Sequence, residues 1–390
     1  MLMLSTRSIN LVVRPLSAAN AIRLSSTSSR IQASAMVYSN YGKPSEVLSI
    51  HKYSLPELKP GDVHIRFLAA PINPADCNQV EGVYPIKPPF TNALDSRDPV
   101  AVGGNEGVAE IIAAGDQVKG FKVGDKVVMA NAGKGTWRTH AALPATDVQL
   151  LPGFSQDVSL VHAATLTVNP STAYRMIKDF TTLQHGDFII QNGANSAVGQ
   201  YVIQLANAWG LKTINVVRDR PNLDELRQYL TSLGATHIIT EDELSKRETR
   251  SRLKEWLNGR KLQLALNCVG GKNATELGRY LDHEGKHVTY GAMAKQPMQV
   301  PAAPLIFKNI SFHGFWVSRW TDTHSTQERE AMLADLIDLI KKKKLREPVW
   351  EKVLWKLDAP EQETLKTFRA AVDKGITGYG KGKQIVVFEE

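Results

Sequence analysis

The sequence predicts an α/β protein of two domains, a β-rich domain followed by a doubly wound parallel sheet. The chain of 390 residues is long enough to bury two hydrophobic cores. Residues 36–150 contain short apolar runs broken by glycine and proline, which is typical of strands in a barrel-like domain. From about Asn169 onward, apolar runs alternate with helical stretches, which indicates a parallel sheet covered by helices.

The individual elements follow from the spacing of the apolar residues. In the first part, the clearest strands are the stretches DVHIRFLAAPINP, GVAEIIAAG and KVGDKVVMA. In the second part, strands are predicted at 188–191, 213–217, 237–239, 264–269, 287–290 and 311–317. A long helix, TQEREAMLADLIDLIKKKK, and a final strand, QIVVFEE, complete the chain.

The N-terminal segment has the composition of a mitochondrial transit peptide. Residues 1–34 contain four arginines, many serines and no acidic residue, and the first acid of the chain is Glu46. A secretory signal fits less well because the segment lacks a compact apolar run before a small-residue cleavage site. A merely disordered tail is the alternative. We therefore expect residues 1–34 to direct the protein to the mitochondrial matrix.

Composition argues against several other classes of protein. The hydrophobic share of 43% and the charged share of 22% are those of an ordinary globular protein, and no run reaches the ~18 apolar residues of a membrane helix. Two cysteines, Cys77 and Cys268, are too few for a disulfide framework or a cysteine-rich zinc site. The net charge of +8 permits nucleic-acid binding, but no nucleic-acid motif supports it.

The stretch FIIQNGANSAVGQYVIQLANAWG, residues 188–210, predicts a strand, a tight turn and a helix. In such a turn, backbone N–H groups and the helix N-terminus face the pyrophosphate of a dinucleotide. Of the usual G-x-G-x-x-G pattern only Gly199 is present, and Ala194 and Ser196 occupy the other two positions. Because the turn residues are small, and because Asn195 and Ser196 add donors, we expect a dinucleotide here. A packing turn without a ligand is the alternative.

The end of the second strand of this unit indicates which dinucleotide binds. The strand ends in NVVRDRP, so that Arg218 and Arg220 flank Asp219. Two guanidinium groups suit a 2′-phosphate through charge and forked hydrogen bonds, which favours NADPH over NADH. Asp219 could still accept a hydrogen bond from a ribose hydroxyl, and the alternative is that both arginines are ordinary surface charges.

A β-rich part followed by such a cofactor unit resembles the medium-chain dehydrogenases/reductases, which join a GroES-like catalytic domain to a Rossmann domain. Zinc-dependent members carry a Gly-His-Glu motif, whereas the stretch VGGNEGVAE has Asn105 in place of the histidine. Asparagine is a poor zinc ligand beside histidine or cysteine, so we expect a metal-free site. Glu106 is expected to lie near the active site as a residue of the fold.

Within the zinc-free branch, the chain resembles the mitochondrial trans-2-enoyl-thioester reductases. The matching stretches are NPADCNQVEGVYP, TVNPSTAYRM, NGANSAVGQ, VVRDR, YGAM, GFWVSRW and GKGKQIV. The resemblance implies NADPH-dependent reduction of 2-enoyl-acyl carrier protein or 2-enoyl-CoA in mitochondrial fatty acid synthesis, by a homodimer. The expected division is residues 35–168 with 319–390 for the GroES-like catalytic domain and 169–318 for the Rossmann domain.

The resemblance also implies the residues of the site. Tyr84, in the stretch GVYP, is the expected proton donor. The expected cofactor contacts are Asn169, Asn195, Ser196, Ala197, Val198, Arg218, Asp219, Arg220, Tyr290, Gly291, Ala292, Met293, Phe315, Trp316, Val317, Ser318 and Lys383. The reaction itself requires a proton donor, independently of the resemblance. Reducing a C=C bond conjugated to a thioester needs hydride at Cβ, a proton at Cα and donors directed at the thioester oxygen.

Two alternative functions remain open at this point. An NADPH-dependent quinone reductase could use the same scaffold, but it would need neither Tyr84 as an acid nor a transit peptide. A non-enzymatic cofactor-binding protein could serve as an interaction factor, and turnover of a short enoyl thioester would separate it from an enzyme.

Overall fold

A computed structural model describes residues 30–377 and 382–389. Most of the predicted transit peptide, residues 1–29, lies outside the described residues. Within the described ranges, no helix is both long enough and apolar enough to cross a membrane.

The first part of the chain is rich in strands, as its sequence predicts. Its strands are β1 (Gln32–Tyr38), β2 (Ser49–Ser54), β3 (Asp62–Pro71), β4 (Ala101–Val102), β5 (Val108–Ala114), β6 (Lys126–Met129), β7 (His140–Pro144) and β8 (Val148–Leu150). Its helices are α1 (Pro44–Val47), α2 (Pro74–Val80) and α3 (Leu160–Thr165), with a 3-10 turn at Ala145–Asp147. Helix α2 begins with a proline at its first position, and Asn73 and Asp76 form a capping box that fixes its start.

Strands and helices alternate in the second part. Its elements are α4 (Asn169–Asp179), β9 (Phe188–Gln191), α5 (Ala197–Ala208), β10 (Lys212–Val217), α6 (Leu223–Ser232), β11 (His237–Thr240), α7 (Glu241–Leu244), α8 (Arg247–Leu257), β12 (Leu262–Asn267), α9 (Gly271–Tyr280), β13 (Lys286–Thr289), α10 (Ala302–Lys308) and β14 (Ser311–Gly314). The chain continues with α11 (Val317–Thr323), α12 (Thr326–Lys341), β15 (Trp350–Lys356), α13 (Glu361–Thr377) and β16 (Lys383–Glu389).

The second part forms one six-stranded sheet in the order β11-β10-β9-β12-β13-β14, in which every neighbouring pair is parallel. The strand order reverses between β9 and β12. In a doubly wound sheet, the crevice outside the carboxyl ends of the strands at this reversal is where ligands bind. The predicted α/β class with a doubly wound sheet is confirmed.

The β-rich part forms two sheets. A small antiparallel sheet has the order β2-β1-β4, and a larger one runs β15-β16-β3-β5-β6-β8, with β7 also paired to β3. The last strand of the chain, β16, therefore returns to pair with β3 near Pro71, at the end of β3 from which helix α2 departs. This pairing brings Lys383, the first residue of β16, close to the start of α2.

One strand is shorter than predicted, and the predicted long helix packs on the parallel-sheet part. The strand predicted at 311–317 ends at Gly314, because Trp316 leaves the sheet and precedes helix α11. The long helix α12 buries Leu333 and Leu336 in the same core as Tyr174 and Tyr201, which belong to helices α4 and α5 of the parallel-sheet part. The division of the chain at residues 168 and 318 stays a prediction.

Candidate active site

A cleft lies where the β-rich part meets the carboxyl edge of the parallel sheet. Asn73, Tyr84 and Asn105 line it from the β-rich part. Thr167 and Val168 line it just before helix α4, and Val317 and Ser318 line it at the start of α11. The structure therefore brings the predicted proton donor together with two of the predicted cofactor contacts, although more than 200 residues of chain separate them.

Tyr84 lies in the loop that follows helix α2. The backbone N–H groups of Val83 and Tyr84 both donate to the carbonyl oxygen of Asn78, at 3.0 and 3.2 Å, which ties the loop to the helix end. The Tyr84 hydroxyl oxygen accepts a hydrogen bond from Nε1 of Trp316 at 2.7 Å. The two rings meet edge to face with centroids 5.8 Å apart. Because the indole N–H occupies one side of this oxygen, the hydroxyl proton must point elsewhere.

The electrostatic surroundings of Tyr84 keep its hydroxyl protonated at neutral pH. Burial raises the pKa of Tyr84 above its usual value, and the hydrogen bonds with Trp316 and Ser318 act in the opposite direction. The donating groups therefore moderate the penalty for the phenolate without removing the proton. Such a tyrosine can serve as a general acid.

The turn at residues 193–199 has the features of a phosphate-binding turn. Ser196 caps helix α5, and its hydroxyl oxygen accepts from the N–H of Gly199 at 3.1 Å. A Cβ at Gly199 would lie 2.7 Å from the carbonyl oxygens of Gly193 and Ala194, so glycine lets the helix pack directly against the turn. N–H groups in the first turn of a helix have no partner within the helix, which suits an anion.

An unpaired buried atom supports the fit of a cofactor in this crevice. Oδ1 of Asn169, at the start of α4, is buried and has no hydrogen-bond partner. A buried amide oxygen in this state is costly unless a ligand donates to it. Tyr290 lies beside Ser196 and Cys268 at the same edge of the sheet. These residues and the phosphate-binding turn fit a dinucleotide.

The residues predicted to select NADPH lie where β10 ends. Arg218 and Asp219 are exposed and Arg220 is half-buried. The Asp219 carboxylate accepts from the backbone N–H of Arg220 at 2.9 Å, so it stabilises its own turn. Two other predicted cofactor contacts lie away from the end of β10. Phe315 packs edge to face on Phe180 with centroids 6.1 Å apart, and Met293 is largely exposed.

Comparisons with known proteins place this fold and this cleft in a family. Family models described as an alcohol dehydrogenase GroES-like domain and as a zinc-binding dehydrogenase match residues 59–171 and 197–337. The chain is 43% identical over 375 residues to the mitochondrial enoyl-[acyl-carrier-protein] reductase of Schizosaccharomyces pombe, covering 94% of this chain and 97% of that relative. It is 48% identical over 316 residues to the enzyme of the same description from Rattus norvegicus, covering 81% of each.

The chain belongs to the family of mitochondrial enoyl-[acyl-carrier-protein] reductases.

Solved structures agree with this assignment. The complex of Etr1p with NADP and crotonyl-CoA is 36% identical and superposes with a TM-score of 0.86, covering 92% of this chain and all of that one. The mitochondrial 2-enoyl thioester reductase heterodimer Etr1p/Etr2p from Candida tropicalis has a TM-score of 0.85 at 36% identity over 92% of this chain. The predicted family, the enzyme class and the mitochondrial location are confirmed.

Asn105, which replaces the histidine of zinc-dependent members, uses its whole amide in hydrogen bonds within the protein. Its Nδ2 donates to Asp76 and Gln79 at 2.7 and 3.2 Å, and its Oδ1 accepts from the N–H of Gly133 at 2.7 Å and from Gln79 at 3.2 Å. Its oxygen thus has no lone pair left for a cation. In the part of the chain that the structure describes, no three His, Cys, Asp or Glu side chains group to hold a metal. A metal-free site stays a prediction.

Behind the cleft lies a buried polar cluster, of which Glu106 was predicted to lie near the site and Lys383 to belong to it, whereas Asn73 was not predicted. Asn73 donates from Nδ2 to Glu106 at 2.9 Å and accepts at Oδ1 from the ammonium of Lys383. Glu106 also accepts from the N–H of Val168 at 2.8 Å. Burial raises the pKa of Glu106 to about 7, against the opposing effect of Lys383. Lys383, a predicted cofactor contact, thus lies one hydrogen bond behind the cleft-lining Asn73.

Asn73, Asp76 and Gln79 were not among the predicted residues of the site. Asn73 and Asp76 belong to the stretch NPADCNQVEGVYP, where they also form the capping box of α2. That local role hides their contribution to the cleft, because a capping box alone predicts only a helix start. The roles of the individual site residues stay predictions.

Proposed function

We propose that the chain reduces the 2,3 double bond of trans-2-enoyl thioesters with NADPH in mitochondrial fatty acid synthesis, with Tyr84 as the proton donor. The observation that carries the proposal is the hydroxyl of Tyr84 in a cleft at the carboxyl edge of a cofactor-binding sheet, held by Trp316 at 2.7 Å. NADPH is the cofactor, and the related Etr1p has been solved with NADP and crotonyl-CoA together.

The protein side of the reaction follows from the residues of the cleft. When bound, NADPH supplies the hydride that the Cβ atom of the substrate receives. Negative charge then develops on the thioester oxygen, and donors directed there stabilise it. The Tyr84 O–H supplies or relays the proton that ends at Cα. The Trp316 N–H then stabilises the phenolate that remains, because hydrogen bonds to a charged oxygen are stronger than those to a neutral one.

The cofactor is held by the residues that surround the crevice. The first turn of α5 and the side chain of Ser196 suit the pyrophosphate, and Asn169 offers its unpaired oxygen as an acceptor. Arg218 and Arg220 suit the 2′-phosphate. In this proposal Asn73, with Lys383 bonded behind it, borders the reacting end of the cofactor.

Acyl carrier protein is the working carrier in this proposal, and the related enzymes are described by this substrate. The direct test is NADPH oxidation with 2-enoyl thioesters of increasing chain length, each offered on CoA and on acyl carrier protein, with a quinone as control. We expect thioester reduction on both carriers, with a higher kcat/KM for the carrier-protein substrates. Turnover of the quinone alone would contradict the proposed reaction, and equal kcat/KM on both carriers would contradict the carrier.

The subunit is a homodimer in this proposal, joined at the free edge of the parallel sheet. Strand β14 is the last strand of the sheet order, and the adjacent helix α10 exposes three apolar side chains. Leu305, Ile306 and Phe307 are 40, 71 and 79% exposed, which is unusual for neighbouring apolar residues on a monomer. Replacing Ile306 and Phe307 by glutamate should yield a monomer by light scattering. A dimer that persists in this variant would place the interface elsewhere.

A further inference from the structure

The loop that carries Tyr84, residues 81–90, is fixed from inside the protein by one buried side chain. Gln79, at the end of α2, has no exposed surface. Its Nε2 donates to the carbonyl oxygen of Ile86 at 3.0 Å, two residues beyond Tyr84. On the other side of Tyr84, the carbonyl of Asn78 accepts from Val83 and from Tyr84 itself. Tyr84, the expected proton donor, therefore lies between two hydrogen-bonded anchors, the Asn78 carbonyl and the Gln79 side chain, which both belong to α2.

Gln79 is held in turn by Asn105. The two amides exchange hydrogen bonds in both directions, each 3.2 Å long. Asp76 accepts from Asn105 at 2.7 Å, and the N–H of Gly133 donates to it at 2.7 Å. Because the backbone N–H of Gly133 can only donate, the atom of Asn105 that faces it must be the amide oxygen, and this determines the orientation of the Asn105 amide. That orientation determines the orientation of Gln79, and hence leaves an N–H of Gln79 directed at the loop.

We propose that Gln79 and Asn105 are positioning residues for the proton transfer of Tyr84. Asn105 occupies the position of a zinc-ligand histidine in zinc-dependent members of the superfamily. Here it holds Gln79, which in turn anchors the loop of Tyr84. The inference rests on the proposed function, because it takes Tyr84 as the proton donor. A general acid must lie within hydrogen-bond reach of the atom it protonates, and a displacement of about 1 Å can cost about 10²-fold in rate.

The outer side of the same loop is held by packing. Gly82 has φ +78°, and a Cβ there would lie 2.7 Å from Cγ of Tyr41, so the aromatic ring lies directly on the loop backbone. The Tyr41 ring also contacts Phe90, at the far end of the loop, with centroids 5.2 Å apart. The Asn78 carbonyl thus holds the loop before and at Tyr84, and the Gln79 hydrogen bond to Ile86 holds it beyond Tyr84.

The test is a double-mutant cycle between Gln79→Met and Tyr84→Phe. Methionine has nearly the volume of glutamine and removes only the hydrogen bonds. We expect Gln79→Met to lower kcat by about ten- to hundredfold with little change in the KM for NADPH. In the Tyr84→Phe background the same substitution should cause no further loss, because there is no hydroxyl left to position.

The matched control is Gln204→Met in helix α5. Gln204 is also buried and bonds the backbone of Arg346 twice, at 3.4 and 2.6 Å, without lining the cleft. The Gln204→Met substitution should change thermal stability about as much as Gln79→Met does and should leave kcat unchanged. A loss at Gln79 that adds fully to the loss at Tyr84 would overturn the inference, as would an unchanged kcat. An unchanged kcat in Tyr84→Phe alone would refute the proton-donor assignment instead.

A second variant keeps the inference testable if Gln79→Met folds poorly. In Gln79→Glu, the protonated carboxyl can still donate one hydrogen bond to the loop, and the ionised carboxylate cannot. We therefore expect activity close to wild type at low pH and a loss of kcat as the pH rises through the pKa of the new carboxyl. A pH profile parallel to that of the wild type would contradict a positioning role.

Discussion

Replacing Tyr84 by phenylalanine removes a single oxygen atom from the cleft and leaves the ring in place. The edge-to-face contact with Trp316, with centroids 5.8 Å apart, needs only the ring and should persist. The variant does remove the acceptor of the 2.7 Å hydrogen bond from the Trp316 indole. Leaving this half-buried N–H without a partner costs about 1 kcal/mol of folding stability.

The expected kinetic effect is considerably larger than this structural cost. General acid catalysis typically contributes about 10²–10⁴-fold, which corresponds to about 3–5 kcal/mol of the activation barrier. Because the proton moves only in the transition state, the loss should appear in kcat rather than in the KM for the thioester. NADPH affinity should stay close to wild type, since the phosphate-binding turn and Arg218 are unchanged.

The assay is steady-state NADPH oxidation with a short enoyl thioester over a range of pH. Burial raises the pKa of Tyr84 above 10, and only its protonated form donates. The wild-type kcat should therefore be level through neutral pH and fall only above pH 10, and the variant should lack this descending limb. Residual activity is expected because water can protonate the enolate. A folded Tyr84→Phe enzyme with the wild-type rate would show that Tyr84 only anchors its loop.

Replacing Arg218 and Arg220 by alanine should weaken NADPH binding by about 1.5–3 kcal/mol per lost charge-assisted contact and should change NADH binding little. Fluorescence titrations with both cofactors measure this effect, and Arg227→Ala is the control. Equal losses for both cofactors would mean that these arginines serve folding. Because the Asn105 oxygen has no lone pair left for a cation, the purified protein should hold no stoichiometric zinc by elemental analysis. It should also keep its full rate of NADPH oxidation after treatment with a chelator. Residues 1–34 should carry a fused reporter into mitochondria, and a cytosolic reporter would count against the transit peptide.

Local signals in the sequence are sufficient to predict the strands and helices of the parallel-sheet part of this protein. The strand, turn and helix between residues 188 and 208 are specified by neighbours along the chain, since Ser196 caps the helix through Gly199 only three residues away. The alternation of strands and helices then leaves few topologies, because parallel strands need right-handed crossovers. Such features depend on periodicity, small residues and capping, all of which are visible in a short stretch.

The cleft depends on contacts that no short stretch contains. Trp316 bonds Tyr84 across 232 positions of the chain, and Lys383 bonds Asn73 across 310. The strand predicted at 311–317 ends at Gly314, and Trp316, which bonds this distant partner, lies at the start of helix α11. Likewise, Asn105 is recognisable in the sequence only as a missing zinc ligand. Its role as the anchor of Gln79 follows from the orientation of an amide, which the backbone N–H of Gly133 determines only once the chain has folded.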